Sequence, residues 1–377
     1  MSVDERDNHP IISVANRGIT TLKGIEYFPN LKNLSCSKNP LNKLDVSTLT
    51  ELTSLTCMAD GLSELNLYEN NKLQRLNCAN NQLTSLVVLS DSLTKVDCYV
   101  NKLETLDLTS VPNLKSLRCD QNSLKSLDLS NNQSLTSINC TYNNLTSLDL
   151  SKNTSLSNVT NAMIGNQSVS LKANFDGNMI VIPFENSNLD NDNYVSSTLD
   201  DYGDGSGFNF ESFIAYDVSE IDGGIDYYCN TKLAGSENMK VSVTVSRDFH
   251  QVSFYADSEN TSLIGRAFAN DGQSVTAPEI KNPPQCKVLD TWSDTLDNVT
   301  GDKSIYANWK DAHSYSLSSF SNDTATVKCS ACGDTFTLSF INAVNSKKGD
   351  EKYSPYLDVT KDGVINAKDY ALLNKMK

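Results

Sequence analysis

The side chains best suited to chemistry in this chain are carboxylates and thiols, and both are concentrated in a few places. Near the C-terminus, Asp358, Thr360, Asp362, Asn366 and Asp369 set oxygen atoms at positions 1, 3, 5, 9 and 12 of a twelve-residue loop. Val364 offers its carbonyl at position 7, and Gly363 stands where the chain must turn sharply. Hard oxygen donors at this spacing wrap a Ca2+ ion in an EF-hand-type loop, here with Asp replacing the usual Glu at the last position. Calcium is the expected cofactor, and Tyr370 to Met376 reads as the exiting helix, with Ala371, Leu372 and Leu373 available for packing. A second acidic stretch runs from Asp190 and Asp192 through Asp200, Asp201 and Asp204 without a fixed ligand spacing. It fits either a Ca2+ site or a solvated loop.

The thiols fall into two sets. Cys329-Ser-Ala-Cys332-Gly supplies half of a zinc site, and His313 and Cys286 are the only nearby residues that would complete it. An exposed disulfide, a pair of free thiols and zinc all stay open, whereas a thioredoxin-type motif lacks its βαβ context. Cys36, Cys57, Cys78, Cys98, Cys119 and Cys140 instead recur at intervals of 21, 21, 20, 21 and 21 residues. Three residues after each comes Asn39, Asp60, Asn81, Asn101, Asn122 or Asn143, and two later Leu41, Leu62, Leu83, Leu103, Leu124 or Leu145. That is the leucine-rich-repeat consensus with Cys where a leucine usually stands. Even spacing points to a stacked column, in which free Cys acts as a small hydrophobe and neighbouring thiols run side by side. The Asn column is suited to backbone groups that would be buried unpaired where the chain leaves each strand.

These periods define the elements that position everything else. Each repeat contributes one short strand, and the strands stack in parallel about 4.8 Å apart. Leu55 and Cys57 point inward and Ser54 and Thr56 outward. Ile12-Ser-Val14 opens the pattern with Val in the Cys place, and Leu156 to Asn161, through Val159, closes it with Asn there. The expected fold is a leucine-rich-repeat solenoid, parallel β with short turns and 3-10 segments, over residues 1–165. Two small β-rich modules and a short helical EF-hand-like C-terminus follow. The boundaries read as an acidic Ig-like β-sandwich at 166–240, a β-module at 241–311, and a Cys-x-x-Cys hairpin with the calcium loop at 312–377. Trp292 and Trp309, the only tryptophans, close adjacent strands and read as core.

Composition narrows the function. The chain has 31 basic and 46 acidic residues, a net charge of −15. Twelve of the acids, and no Lys or Arg, lie between Ala173 and Thr231. Nucleic acid and anionic membranes are therefore poor partners. No apolar run approaches the ~20 residues that span a bilayer. Three His and no triad or metalloenzyme spacing argue against an enzyme. The alternative is a paired-carboxylate glycosidase hidden in the acidic β-domain.

Three regions resemble known bacterial surface modules. Residues 10–165, written Leu-x-x-Leu-x-Cys-x-x-Asn-x-Leu, are similar to the internalins, especially their cysteine-ladder type; this implies a curved parallel sheet with a concave ligand-binding face. Residues 241–310, through Gln273 to Pro278, Thr291-Trp-Ser293 and Ile305 to Trp309, resemble the B-repeat of internalin-like proteins, which implies a β-grasp-like spacer. Cys286-Lys287 departs from the Gly-Tyr usual there. The C-terminal loop resembles the second half of a cellulosomal dockerin, whose calcium ligands match Asp358, Thr360, Asp362, Asn366 and Asp369. That resemblance implies that Ala367 and Lys368 help choose a cohesin partner. A dockerin has two such loops, and Phe340 to Gly349 carries no ligand series for the first.

The resulting expectation is a monomeric bacterial binding or adhesion protein, secreted or on the cell surface, its signal peptide removed. Its concave face would take a protein or glycan, through Met58, Arg75, Asp97, Tyr99, Arg118, Asp120 and Tyr142, because aromatic residues, Arg and Met are enriched at interfaces. The calcium module would attach it to a scaffold or surface. A subunit docking to cohesin in a cellulosome-like complex is the alternative, and a cytosolic interaction scaffold a further one.

Overall fold

The computed structural model describes residues 9–156, 162–184, 194–200, 206–209, 212–233 and 238–376. The chain divides into two compact units, Met1–Asp248 and Phe249–Lys377.

The first unit begins with an eight-stranded parallel sheet whose strands follow chain order: Ile11–Ser13, Asn33–Ser35, Ser54–Thr56, Arg75–Asn77, Lys95–Asp97, Ser116–Arg118, Ser137–Asn139 and Ala162–Met163. This is the repeat solenoid. From the third strand to the seventh, the central residue, Leu55, Leu76, Val96, Leu117 or Ile138, is buried, and the Cys that follows each strand is fully buried. The thiols are free, and loss of hydration pushes their ionisation up, to about 12 for Cys78 and Cys140.

The Asn column stitches the turns together. The Asn81 amide nitrogen donates to the carbonyls of Cys57 (2.8 Å) and Cys78 (2.9 Å), and its oxygen accepts the N–H groups of Asp60 and Leu62, both at 3.0 Å. Asn101, Asn122 and Asn143 repeat the two carbonyl contacts. Asp60, standing in the same column, accepts the Asn39 N–H at 2.8 Å and faces the Cys36 thiol at 3.4 Å.

A further column has no sequence signal of its own. Lys38, Ala59, Asn80, Val100, Gln121, Tyr142 and Asn166 all adopt left-handed φ between 54° and 62°. Each marks the turn out of a strand, and none of them needed to be glycine. The one short interval, Cys78 to Cys98, has its deletion in the outer turn. Leu67 and Asn70 lie 10 and 13 residues after Cys57, whereas Val88 and Ser90 lie 10 and 12 after Cys78. Ser90 fills the Asn place and bonds the carbonyls of Asn71 and Leu73. The main sheet therefore keeps its register, Arg75 opposite Lys95.

The N-terminal end follows the sequence, since Val14 holds the Cys place and Asn39 bonds its carbonyl at 3.0 Å. The other end does not. Val159 and Asn161 lie outside the described residues, and the last strand, Ala162–Met163, puts Ile164 in the Cys place and Gln167 in the Asn place. Gln167 bonds the carbonyls of Cys140 and Ile164, each at 2.9 Å. The repeat array thus extends to Gln167.

Two four-stranded sheets follow in the same unit, a β-rich module as expected. One contains Gln167–Lys172, Met239–Ser246, Ile225–Cys229 and Tyr194–Ser197; the other contains Asn174–Asp176, Met179–Pro183, Ser212–Ala215 and Gly207–Asn209. Phe184, Phe213 and Tyr227 pack edge-on or tilted between them with centroids 5.4–5.5 Å apart. Met239–Ser246 pairs with both Gln167–Lys172 and Ile225–Cys229, so the boundary expected at residue 240 moves beyond Ser246. The buried Tyr227 hydroxyl donates to the Thr146 carbonyl at 2.6 Å, joining this module to the solenoid. Of the second acidic stretch, Asp190, Asp192, Asp201 and Asp204 lie outside the described residues; Asp200 accepts bonds from the Tyr194 hydroxyl and the Ser197 N–H.

The second unit starts with a four-stranded sheet in the order Leu263–Asn270, Phe249–Tyr255, Lys303–Asp311, Lys287–Trp292, its central pair parallel. Beyond Leu263–Asn270, Gln273 makes a single bridge to Val299. Trp292 packs edge-on against Phe254 and joins the core, whereas Trp309 is half-buried and donates to the Ala256 carbonyl. A three-stranded antiparallel meander, Tyr315–Ser321, Thr324–Cys329 and Thr335–Ser339, leads to the helices Phe340–Ala343 and Ala367–Leu373. Phe320, Phe340, Leu357, Ile365 and Leu373 form one core beneath the C-terminal loop.

Candidate functional site

The outward face of the parallel sheet carries most of the expected contact residues, in adjoining rows. Arg75 and Lys95 are register partners, as are Asn77 and Asp97, then Asp97 and Arg118. Tyr99 reaches across buried Ala79 to Met58, its hydroxyl 3.8 Å from the Met58 sulfur. The Arg118 guanidinium lies 4.1 Å above the Tyr99 ring and 3.4 Å from Asp120, and Lys95 pairs with Asp97 at 3.1 Å. A cation over an aromatic face contributes about 0.5–2 kcal/mol and fixes the ring's orientation. Met58, Tyr99, Arg118 and Asp120 are therefore one contiguous cluster with Arg75 exposed beside it, but Asp97 and Asp120 are themselves buried and hold the neighbouring cations. Lys95 belongs to the same surface, but its unremarkable type gave no sequence signal.

Tyr142 is a correction. It occupies the left-handed turn column at φ 57°, two residues past Cys140, and stands 59% exposed at the turn instead of on the strand face. Counting from the cysteine shows why: the face position after Cys140 is Thr141.

The C-terminal loop brings together Asp358, Asp362 and Asp369, whose carboxylate oxygens lie within 4.8 Å of one another. Asp369 is fully buried and Asp358 nearly so. Thr360 stands between them, its hydroxyl 2.9 Å from Asp369 and 3.4 Å from Asp358. Gly363, at φ 84°, makes the turn that aims its N–H at Asp358, 2.9 Å away. Burial works to raise the Asp358 carboxyl, yet the Tyr353 hydroxyl and the Gly363 and Asp362 N–H groups hold it below the usual range. Tyr353, at 2.6 Å, is a neighbour the sequence reading did not identify.

Asn366 departs from the expected ligand set. Its side-chain oxygen caps the last helix by accepting the Lys368 N–H at 2.8 Å, and its amide nitrogen faces the Val364 carbonyl at 3.1 Å. Helix capping competes for the same oxygen that the loop spacing assigned to a metal. Asp369 completes the capping box by accepting the Asn366 N–H. Ala367 and Lys368 are exposed on the helix's first turn.

No family model matches the chain. No curated protein matches it either. Among solved structures, the functional domain of InlJ from Listeria monocytogenes, described as including a cysteine ladder, is similar at 21% identity and a TM-score of 0.31, over 63% of this chain and 69% of that one. Internalin C2 from the same organism is similar at 22% identity and a TM-score of 0.33, covering 38% of this chain and 76% of that one. InlF, also from L. monocytogenes, is similar at 24% identity and a TM-score of 0.35, covering 45% and 58%. The repeat architecture of this chain rests on its own hydrogen-bonded ladder: eight parallel strands, a buried thiol column and an Asn column in which Asp60 and Gln167 fill two places.

Proposed function

We propose that the chain is a non-catalytic binding protein, working outside the cell or on its surface, whose parallel-sheet face takes a protein ligand. The observation that carries this reading is the Met58–Tyr99–Arg118–Asp120 cluster. It combines an aromatic ring and a guanidinium, types enriched at binding hot spots, with a thioether, a type enriched at interfaces. Preorganisation by the stack lowers the ordering cost of binding. The test is capture of surface proteins by the immobilised full chain, compared with Arg118→Ala and Tyr99→Ala. Each variant is expected to weaken a captured ligand at least about tenfold. Unchanged capture by both would place the binding surface elsewhere.

The C-terminal loop, on the same proposal, takes one Ca2+ through Asp358, Thr360, Asp362, the Val364 carbonyl and Asp369, with Asn366 acting through water. Two buried carboxylates facing a third across a Gly turn support that role. Calorimetry should show one Ca2+ equivalent that disappears in Asp358→Ala; unchanged stoichiometry refutes it. A cohesin-docking reading has one observation in its favour: Lys347 makes a single antiparallel bridge to Val364, joining the segment before the loop to the loop itself. Ala367 and Lys368 would then be contact residues, and loss of scaffold binding in Lys368→Glu would test it.

A further inference from the structure

Four donor side chains of the second unit converge, although the sequence scatters them over 47 positions from Cys286 to Cys332. Cys286 precedes the strand Lys287–Trp292, and His313 follows the strand Lys303–Asp311. Antiparallel pairing sets Lys287 opposite Asp311, so both donors leave the same end of the sheet. Cys329 ends the middle strand of the meander, and Cys332 lies in the turn beyond it. The Cys286 and Cys329 sulfurs are 3.4 Å apart, the Cys332 sulfur is 3.3 Å from His313 Nδ1, and all four donor atoms lie within 4.8 Å of one another. Donors held by bonds of about 2.0–2.3 Å around a tetrahedral ion sit roughly 3.5–3.8 Å apart. We propose that Cys286, His313, Cys329 and Cys332 are the ligands of a structural Zn2+ ion.

The surrounding backbone is arranged to aim these groups. Cys286 holds a left-handed φ of 60°, which is uncommon for a residue with a side chain and turns its thiol toward the meander. Gly333, at φ 78°, donates its N–H to the Cys329 carbonyl at 3.0 Å, folding the Cys-x-x-Cys segment into a tight turn. The His313 ring stacks on Tyr315, whose hydroxyl bonds Asp334, and its Nε2 lies 3.9 Å from Asp311. A carboxylate behind the distal nitrogen of a ligating imidazole fixes its tautomer and raises its basicity.

Three thiolates and one imidazole select zinc by softness and geometry. Binding releases the remaining thiol protons to solvent and changes no oxidation state. A disulfide within this group would instead need an oxidant and sulfurs about 2.0 Å apart. Its mechanical consequence follows from the packing. The core of the four-stranded sheet, around Phe254 and Ile305, shares no residue with the core around Phe320 and Leu373. The zinc ties these two cores together, so the calcium loop is held against the module that precedes it.

The experiment is metal analysis of the full chain purified without chelator from zinc-supplemented medium. One zinc per chain is expected, together with ten free thiols once the protein is denatured with chelator. Cys332→Ser should lose the metal, and Asp311→Asn should weaken it about tenfold. Cobalt loading of the wild type should give tetrahedral visible bands with thiolate charge transfer, which keeps the question open to test if Cys332→Ser fails to fold. A zinc-free chain lighter by two hydrogens, or one without the cobalt bands, overturns the assignment, as does a Cys332→Ser variant that binds zinc with unchanged affinity.

Discussion

The chain uses cysteine in two opposite ways. In the solenoid six thiols stand one per repeat, fully buried and facing neighbours of their own kind, with Asp60 beside Cys36. In the second unit Cys286, Cys329 and Cys332 come from three different segments and face each other and an imidazole. Regular spacing in sequence produces parallel side chains, which pack. Irregular spacing produces convergent ones, which can ligate. Residue type says little about chemistry until the direction of the side chain is known.

The largest way to sharpen this contrast is alkaline pH. The column thiols have folded ionisation raised above the unfolded value of about 8.5, to about 12 at Cys78 and Cys140. A raised folded value means that the native state holds protons the unfolded chain releases. Stability is therefore whole below about pH 8.5 and falls as pH rises toward about 12, by up to about 1.4 kcal/mol per thiol per pH unit. Urea denaturation under reducing conditions should show the decline starting near pH 8.5. A midpoint flat to pH 10 would mean that the column is hydrated. Next in size is Asn81→Ala, which strands the Cys57 carbonyl and the Asp60 and Leu62 N–H groups, while Asn101 still holds the Cys78 carbonyl at 3.1 Å. The cost should be at least about 3 kcal/mol by denaturant melt, more than removing the thiol beside it.

The solenoid was legible because stacking forces one residue type per position, so Cys, Asn and Leu each announce their own column. Its end was not, because Val159 and Asn161 imitate the pattern while Ile164 and Gln167 fill the places; glutamine does the work of asparagine with one more methylene. The boundary at 240 failed for a related reason. Alternation continues through Val245, and a strand that pairs with Gln167–Lys172 far back in the chain leaves no local mark. The oxygen spacing of the C-terminal loop could be read, but the orientation of Asn366 could not, since capping and ligation ask for the same atom. Zinc ligation stayed open because His313 and Cys286 become neighbours of Cys329 and Cys332 only when two sheets meet.

A paired substitution then divides the two thiol sets directly. Cys78→Ser puts a hydroxyl into an apolar seam and should cost about 1–3 kcal/mol whether or not zinc is present. Cys332→Ser, at an exposed position, should cost under about 0.5 kcal/mol in chelator and clearly more in zinc. Equal costs for both, with and without metal, would erase the distinction.

The smallest expected effect comes from the left-handed residues, where the two regions again differ. Val100 sits at φ 54° in the turn column, a poor conformation for a β-branched side chain, and Asn occupies the equivalent place at Asn80 and Asn166. Val100→Asn should relieve strain and raise stability by about 1 kcal/mol, seen as a higher denaturation midpoint. Cys286 at φ 60° has the same backbone but a different reason for it, since its conformation turns a sulfur toward three other donors. Cys286→Asn should therefore relieve similar strain in chelator yet lose stability in zinc. If Val100→Asn is neutral, the turn column tolerates β-branching, and the backbone at Cys286 loses its significance as a sign of ligation.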